Sequence, residues 1–203
     1  MITLHLARGT IALAAHAALE VTGLDHRLAW VDFRAAEQRG EAYARVNPKG
    51  RVPALETDRG ILTETPAILE WIAQAAPDAG LMPADPWQAA KARAWMAWCA
   101  STAHVNHAHK MRGARWADDE AAWAAMTAKV PQTMLETARF AEAGMEGAFL
   151  LGDAPTVADL HWFAIARWLE GDGVDLSAVP GVAAHMSRMR EVPGVARAEA
   201  MHG

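Results

Sequence analysis

The chain has 203 residues, 52% of them hydrophobic and 21% charged, with a formal net charge of −5 and a single cysteine, Cys99. This length and apolar content suit one large domain or two small ones around a substantial core, and exclude global disorder. The acid excess without a long basic run disfavours nucleic acid as a partner. One cysteine rules out an intrachain disulfide, and no apolar run approaches the roughly 20 residues of a membrane helix.

Met1 leads into a short apolar strand, Ile2 to Leu6, with no basic region or cleavage signal, so the expected location is cytoplasmic. A turn at 7–10 precedes helical spacing over Ile11 to Thr22, with Gly23 as the stop. A second strand is expected over Arg27 to Phe33, which completes a βαβ unit. The polar stretch Arg34 to Arg45 reads as a loop or short helix. Strands at 52–56 and 61–63 flank the hairpin signal Asp58-Arg59-Gly60. Pro66 opens a helix that runs to Ala75, at the position where a missing N–H costs nothing. Prolines 77, 83 and 86 and Gly80 punctuate a linker over 77–86. Beyond it, alanine-rich helical spacing covers 87–111, 118–144, 156–170 and 179–190. The expected plan is a small α/β domain over 1–76, a linker over 77–86 and an all-helical domain over 87–203.

Two segments carry most of the functional information. The first is Asn47-Pro48-Lys49-Gly50-Arg51-Val52-Pro53-Ala54-Leu55, a turn and a strand entered through proline. The second is Glu64-Thr65-Pro66-Ala67-Ile68, a helix start with an acid and a hydroxyl. Together they can hold a small peptide. Val52 offers strand-like backbone hydrogen bonds, and the helix start offers free N–H groups to a carboxylate. A third segment, Pro155-Thr156-Val157-Ala158-Asp159-Leu160, reads as a capping box and is a folding device.

In this order, the three segments resemble the cytosolic glutathione transferases, and the bacterial beta-like branch most closely. The resemblance implies a thioredoxin-like α/β domain followed by an all-α domain, a cis bond before Pro53, and a homodimer. It implies glutathione as co-substrate, with Thr65 at the γ-glutamyl carboxylate and Glu64 at the ammonium. Val52 would meet the cysteinyl amide, and Arg51, with Lys49 or Arg34, the glycine carboxylate. The implied reaction transfers the glutathione thiolate to a small apolar electrophile. A glutathione-dependent peroxidase or isomerase and a weakly catalytic binding or interaction protein are the alternatives.

The chain departs from the family where the sulfur is activated. Ile11 stands where the beta-like pattern has cysteine, and His5 lies where other branches place tyrosine. Without a cysteine at that helix start, thiol–disulfide exchange is disfavoured. Thr10, through its hydroxyl or its N–H, is the expected donor to the thiol, with the Ile11 N–H as second choice. His104 falls where beta-like relatives present a histidine to the sulfur, which makes it a candidate proton donor or substrate contact. His104 and His107 share a helix face, but no further ligand stands at a matching interval, so no metal is expected. The tryptophans are expected to lie mostly in the core, with Trp98 or Trp116 as candidates for lining the second-substrate pocket. Cys99 is expected to be a buried apolar residue.

Overall fold

The computed structural model describes residues 1–202. A four-stranded sheet contains β1 (Ile2–Leu6), β2 (His26–Trp30), β3 (Ala54–Thr57) and β4 (Gly60–Thr63), in the order β2-β1-β3-β4. The central strand β1 runs parallel to β2 and antiparallel to β3, and Leu4 faces Leu28 on one side and Leu55 on the other. Leu4, Leu6 and Leu55 are fully buried, which explains why the first strand is apolar without a break.

Between β1 and β2 lies α1 (Ala12–Thr22). Every residue from Ala12 to Leu19 is buried, His16 included. A helix buried on all sides needs neighbours on all sides. Those neighbours are α3 (Thr65–Ala75), α7 (Val157–Ala166) and α9 (Pro193–His202), along with β1. Alanine at five of the eight buried positions lets the surrounding backbones come close. The α9 contact is the tightest: a Cβ on Gly194 would lie 2.6 Å from the Val21 nitrogen.

The remaining helices are α2 (Glu41–Ala44), α4 (Pro86–Trp98), α5 (His104–Ala108), α6 (Glu120–Ala143) and α8 (Pro180–Glu191). Asp85 caps α4 by accepting from the Gln88 N–H at 2.9 Å. The helix expected over 87–111 is interrupted. A π-turn over Cys99–Ala103 separates α4 from α5 and changes the helical phase just before His104. Cys99 is fully buried, and that burial pushes its thiol well above the usual range, with Asp159 adding to the effect. At the start of α7, Asp159 accepts from the Thr156 N–H at 2.8 Å, while Thr156 Oγ1 accepts from the Ala158 N–H at 3.2 Å and donates to Asp159 at 2.9 Å. The Leu150 N–H and His185 Nε2 complete the surroundings of that buried carboxylate.

Two expectations need correcting. Helix α9 was not foreseen, because its burial comes from contact with α1 and not from a strong pattern of its own. The tryptophans also divide more evenly than expected. Trp162 is fully buried, but Trp87 is 71% exposed and Trp116 45%. Replacing Gly194 with alanine should force α9 away from α1 and destabilise the fold by about 1–3 kcal/mol, which is measurable as a lowered Tm in thermal unfolding.

Candidate active site

The first wall of the cleft is the loop leading into β3. Asn47 is nearly fully buried, and its side chain donates to the Arg51 carbonyl at 2.7 Å while accepting from the Lys49 N–H at 3.1 Å. The Tyr43 hydroxyl donates to the same carbonyl at 2.8 Å. Gly50 has φ +60°, and a Cβ there would sit 2.9 Å from the Gln38 carbonyl oxygen, so no other residue fits the turn without strain. These bonds hold Val52 at the cleft. The Val52–Pro53 bond is cis. Neither the N–H nor the C=O of Val52 has a partner among the described residues.

Nearby, α3 begins at Thr65 after Glu64, which has φ +74°. Such a backbone costs on the order of 1–3 kcal/mol in a bulky residue and persists where the surroundings impose it. Lys49 Nζ lies 2.5 Å from the Glu64 carboxylate and donates to Thr63 Oγ1 at 2.7 Å. The hydroxyl of Thr65 and the N–H groups of Thr65 and Ala67 have no partner among the described residues. The helix dipole adds partial positive charge at that point.

The second wall is the start of α1. Gly9, Thr10 and Ile11 line the cavity together with Phe33, Gly50, Arg51 and Val52. The Thr10 hydroxyl donates to the Ala7 carbonyl at 2.7 Å and accepts from the Ala12 N–H at 3.3 Å. Its one proton is therefore committed to the turn. The Ile11 N–H has no partner among the described residues and lies at the same helix end.

The third wall comes from the helical domain. His104, His107, Arg112, Arg115 and Trp168 complete a cavity of about 130 Å³. Trp168 crosses between the domains, its indole N–H donating to the Gly9 carbonyl at 3.3 Å. His107 stacks on Trp168 with ring centres 4.0 Å apart, and its Nδ1 lies 2.6 Å from the buried Asp172 carboxylate. Burial pushes the His104 imidazole down to about 4, and His107, Arg112, Arg115 and Arg51 push it in the same direction. His104 is neutral at pH 7.

Comparison with known proteins agrees with this geometry. The family described as "Glutathione S-transferase, N-terminal domain" matches residues 11–75, and "Glutathione S-transferase, C-terminal domain" matches residues 106–199. The chain belongs to the glutathione S-transferase family. A solved glutathione transferase homologue from Sulfitobacter, with bound glutathione, is 44% identical and superposes with a TM-score of 0.96 over 99% of this chain and 98% of its own. The glutathione S-transferase GstA of Escherichia coli O157:H7 is 30% identical over 96% of both chains. A maleylacetoacetate isomerase of Rhizobium meliloti is 32% identical over 85% of this chain and 83% of its own.

Of the residues singled out in the sequence, Thr10, Ile11, Arg51, Val52 and His104 line one cavity. Lys49 lines the adjoining depression, beside Arg39, Asn47 and Arg112. Arg34 faces a separate hollow with Arg8, Trp30 and Glu37. Trp116 lines a hollow beside His104, whereas Trp98 lines another with Trp95 and Phe140. Phe33, Trp168, Arg112 and Arg115 were not foreseen. The one local signal for them was the run Arg112-Gly113-Ala114-Arg115 between two helical stretches.

Replacing Thr10 with valine removes a turn bond and a helix-end acceptor, with an expected stability loss of about 0.5–2 kcal/mol. The thiolate absorbance titration of bound glutathione should move by less than about 0.3 units, because the hydroxyl proton points to Ala7. Parallel unfolding and titration experiments check both outcomes.

Proposed function

We propose that this chain binds glutathione along Val52 and transfers its thiolate to a small electrophile in the cavity below His104 and Trp168. One observation carries the reading. Val52 presents an unpaired N–H and C=O just ahead of β3, beside the start of α1 in the cavity, and the start of α3 follows the β4 residue Thr63 that pairs with Ala54; both helix starts hold unpaired N–H groups. An extended peptide with a carboxylate at one end and a thiol in the middle matches that pattern.

In this reading the γ-glutamyl carboxylate takes the Thr65 hydroxyl and the first-turn N–H groups of α3. Its ammonium meets Glu64, which Lys49 now holds. The cysteinyl amide pairs with Val52 ahead of Pro53. The glycine carboxylate extends toward the depression lined by Arg39, Lys49 and Arg112. The sulfur then lies at the start of α1, where the Ile11 N–H and the helix dipole favour the thiolate. Thr10 shapes that turn through Ala7 and Ala12. His104 contributes a neutral imidazole within reach of the reacting groups, and Phe33 and Trp168 supply flat apolar surfaces for the electrophile. The sulfur bonds to the electrophilic carbon, that carbon's leaving group departs with its electron pair, and the thiol proton passes to solvent.

A glutathione-dependent isomerisation is the second reading, favoured by the likeness to the Rhizobium meliloti isomerase. It returns free glutathione, so mass analysis of the product separates the two. No described helix is long and apolar enough to cross a membrane. In this reading the reaction draws on a reduced thiol pool, which fits a cytoplasmic location. A homodimer is part of the same reading, and sedimentation measures it.

Calorimetric titration should show glutathione binding in the micromolar to millimolar range, and a chlorinated dinitrobenzene should be conjugated. Absence of glutathione binding up to tens of millimolar would remove the transferase reading and leave only the scaffold. The depressed basicity of His104 makes a second expectation. The imidazole keeps its neutral form from pH 8 down to about 5, so kcat/KM should follow the thiol's ionisation alone across that range. An inflection between pH 6 and 7 that vanishes in His104→Gln would contradict this.

A further inference from the structure

The charge on the cleft does not match the charge on the protein. The chain carries a net −5, yet no Asp or Glu lines the central cavity or the two hollows that share arginines with it; Asp32 and Glu37 line a further hollow that meets the cavity at Phe33. Five cationic side chains do: Arg39, Lys49, Arg51, Arg112 and Arg115. Lys49 is taken up by Glu64. The four arginines have no ion pair among the described residues, whereas Arg93, Arg167, Arg190 and Arg197 each meet a glutamate.

Glutathione does not absorb this field. Its γ-glutamyl carboxylate belongs at the start of α3, and its glycine carboxylate has the depression with Arg39, Lys49 and Arg112. Arg51, which the resemblance assigns to the glycine carboxylate, does not line that depression, and Arg115, which does, shares the central cavity with Arg51. They line a second hollow with His104, whose other walls are Ala100, Val105, Ala108 and Trp116. The two guanidiniums come from opposite domains, Arg51 from the loop ahead of β3 and Arg115 from the short turn over Gly113–Arg115.

That turn is built in. A Cβ on Gly113 would lie 2.8 Å from the Trp123 ring, so glycine lets the turn sit directly on α6. The Trp123 indole donates to the Ala117 carbonyl at 2.5 Å, and the Thr127 hydroxyl donates to the Lys110 carbonyl at 3.0 Å. Arg115 is thus held beside the cavity. Burial lowers the basicity of both Arg112 and Arg115, and neighbouring guanidiniums, Arg51 among them, add to that in each case. An anion placed among them would relieve both effects.

We propose that Arg51 and Arg115 form a carboxylate clamp beside His104, so that the electrophile is an anionic compound with a flat apolar body. This rests on the glutathione reading above and replaces its purely apolar electrophile. The ring lies against Trp168 or Phe33, and the carboxylate bonds the two guanidiniums without entering the chemistry. For a chlorinated substrate, the carbon–sulfur bond forms as the carbon–chlorine bond breaks. Chloride leaves with the electron pair, and the thiol proton goes to solvent.

The test uses 4-chloro-3,5-dinitrobenzoate and its methyl ester at saturating glutathione, each rate divided by the uncatalysed rate. The clamp predicts a kcat/KM for the acid about tenfold or more above that of the ester, a preference that shrinks as salt is added. Arg115→Met should cut the acid-over-ester ratio by about tenfold while the KM for glutathione stays within about twofold. Arg59→Met, on the exposed β3–β4 turn, should leave the ratio where it was. Equal efficiency with acid and ester would overturn the clamp and leave the transferase standing. So would an acid preference that survives Arg115→Met. Failure to bind glutathione by calorimetry would instead remove the transferase reading beneath it, which separates the two failures.

Discussion

The position of α1 is the constraint on which the site depends. This helix touches β1, α3, α7 and α9, and eight consecutive residues in it see no solvent. Its alanines leave little side chain to repack, so its axis is set by backbone proximity. The Gly194–Val21 contact shows how little room remains. Because the body of α1 is immobilised, its first turn is too. The Ile11 N–H and the dipole therefore meet the cavity in a fixed direction, which is the condition for stabilising a thiolate without reorganisation.

Each domain contributes a device that keeps the opposing wall in register. In the helical domain, the buried Asp159 carboxylate accepts from Leu150, from both the N–H and hydroxyl of Thr156, and is approached by His185. That network ties α7 to the preceding loop and to α8, and it would be costly with any partner missing. In the sheet domain, Asn47 and Tyr43 grip the Arg51 carbonyl and leave the next residue free to face a ligand. Trp168 then joins the two halves directly, through its bond to Gly9 and its stack on His107.

The chemistry of the cleft follows from one charge distribution. Unpaired guanidiniums surround a cavity without carboxylates, and they help keep His104 neutral. In the proposed reading the same field favours a thiolate at the start of α1 and an anion beside Arg115. A departure from the family at one position thus need not leave the sulfur unassisted. With isoleucine where the beta-like pattern has cysteine, the proposed reading gives the helix backbone and the cationic field the task of stabilising the sulfur.

Much of this protein was legible in its one-dimensional pattern. The βαβ–ββα order, the proline-led strand, the helix start at Glu64-Thr65 and the capping box at Thr156 are local, because turn chemistry and periodicity act over a few residues. The boundaries of the long helices were less accessible. The π-turn at Cys99–Ala103 and the packing of α9 both arise from neighbours distant in sequence. Among site residues, Thr10 illustrates the limit of a local reading: a hydroxyl at a helix start was visible, but its commitment to the Ala7 carbonyl was not. Arg112, Arg115 and Trp168 reach the cleft only because the helical domain brings them to the start of α1 and the loop ahead of β3. Charge convergence and burial are properties of the assembled chain, so the sequence determined the scaffold, the proline-led strand and the helix start at Glu64-Thr65, and the tertiary structure alone decided which cations, and which neutral histidine, meet in the cleft.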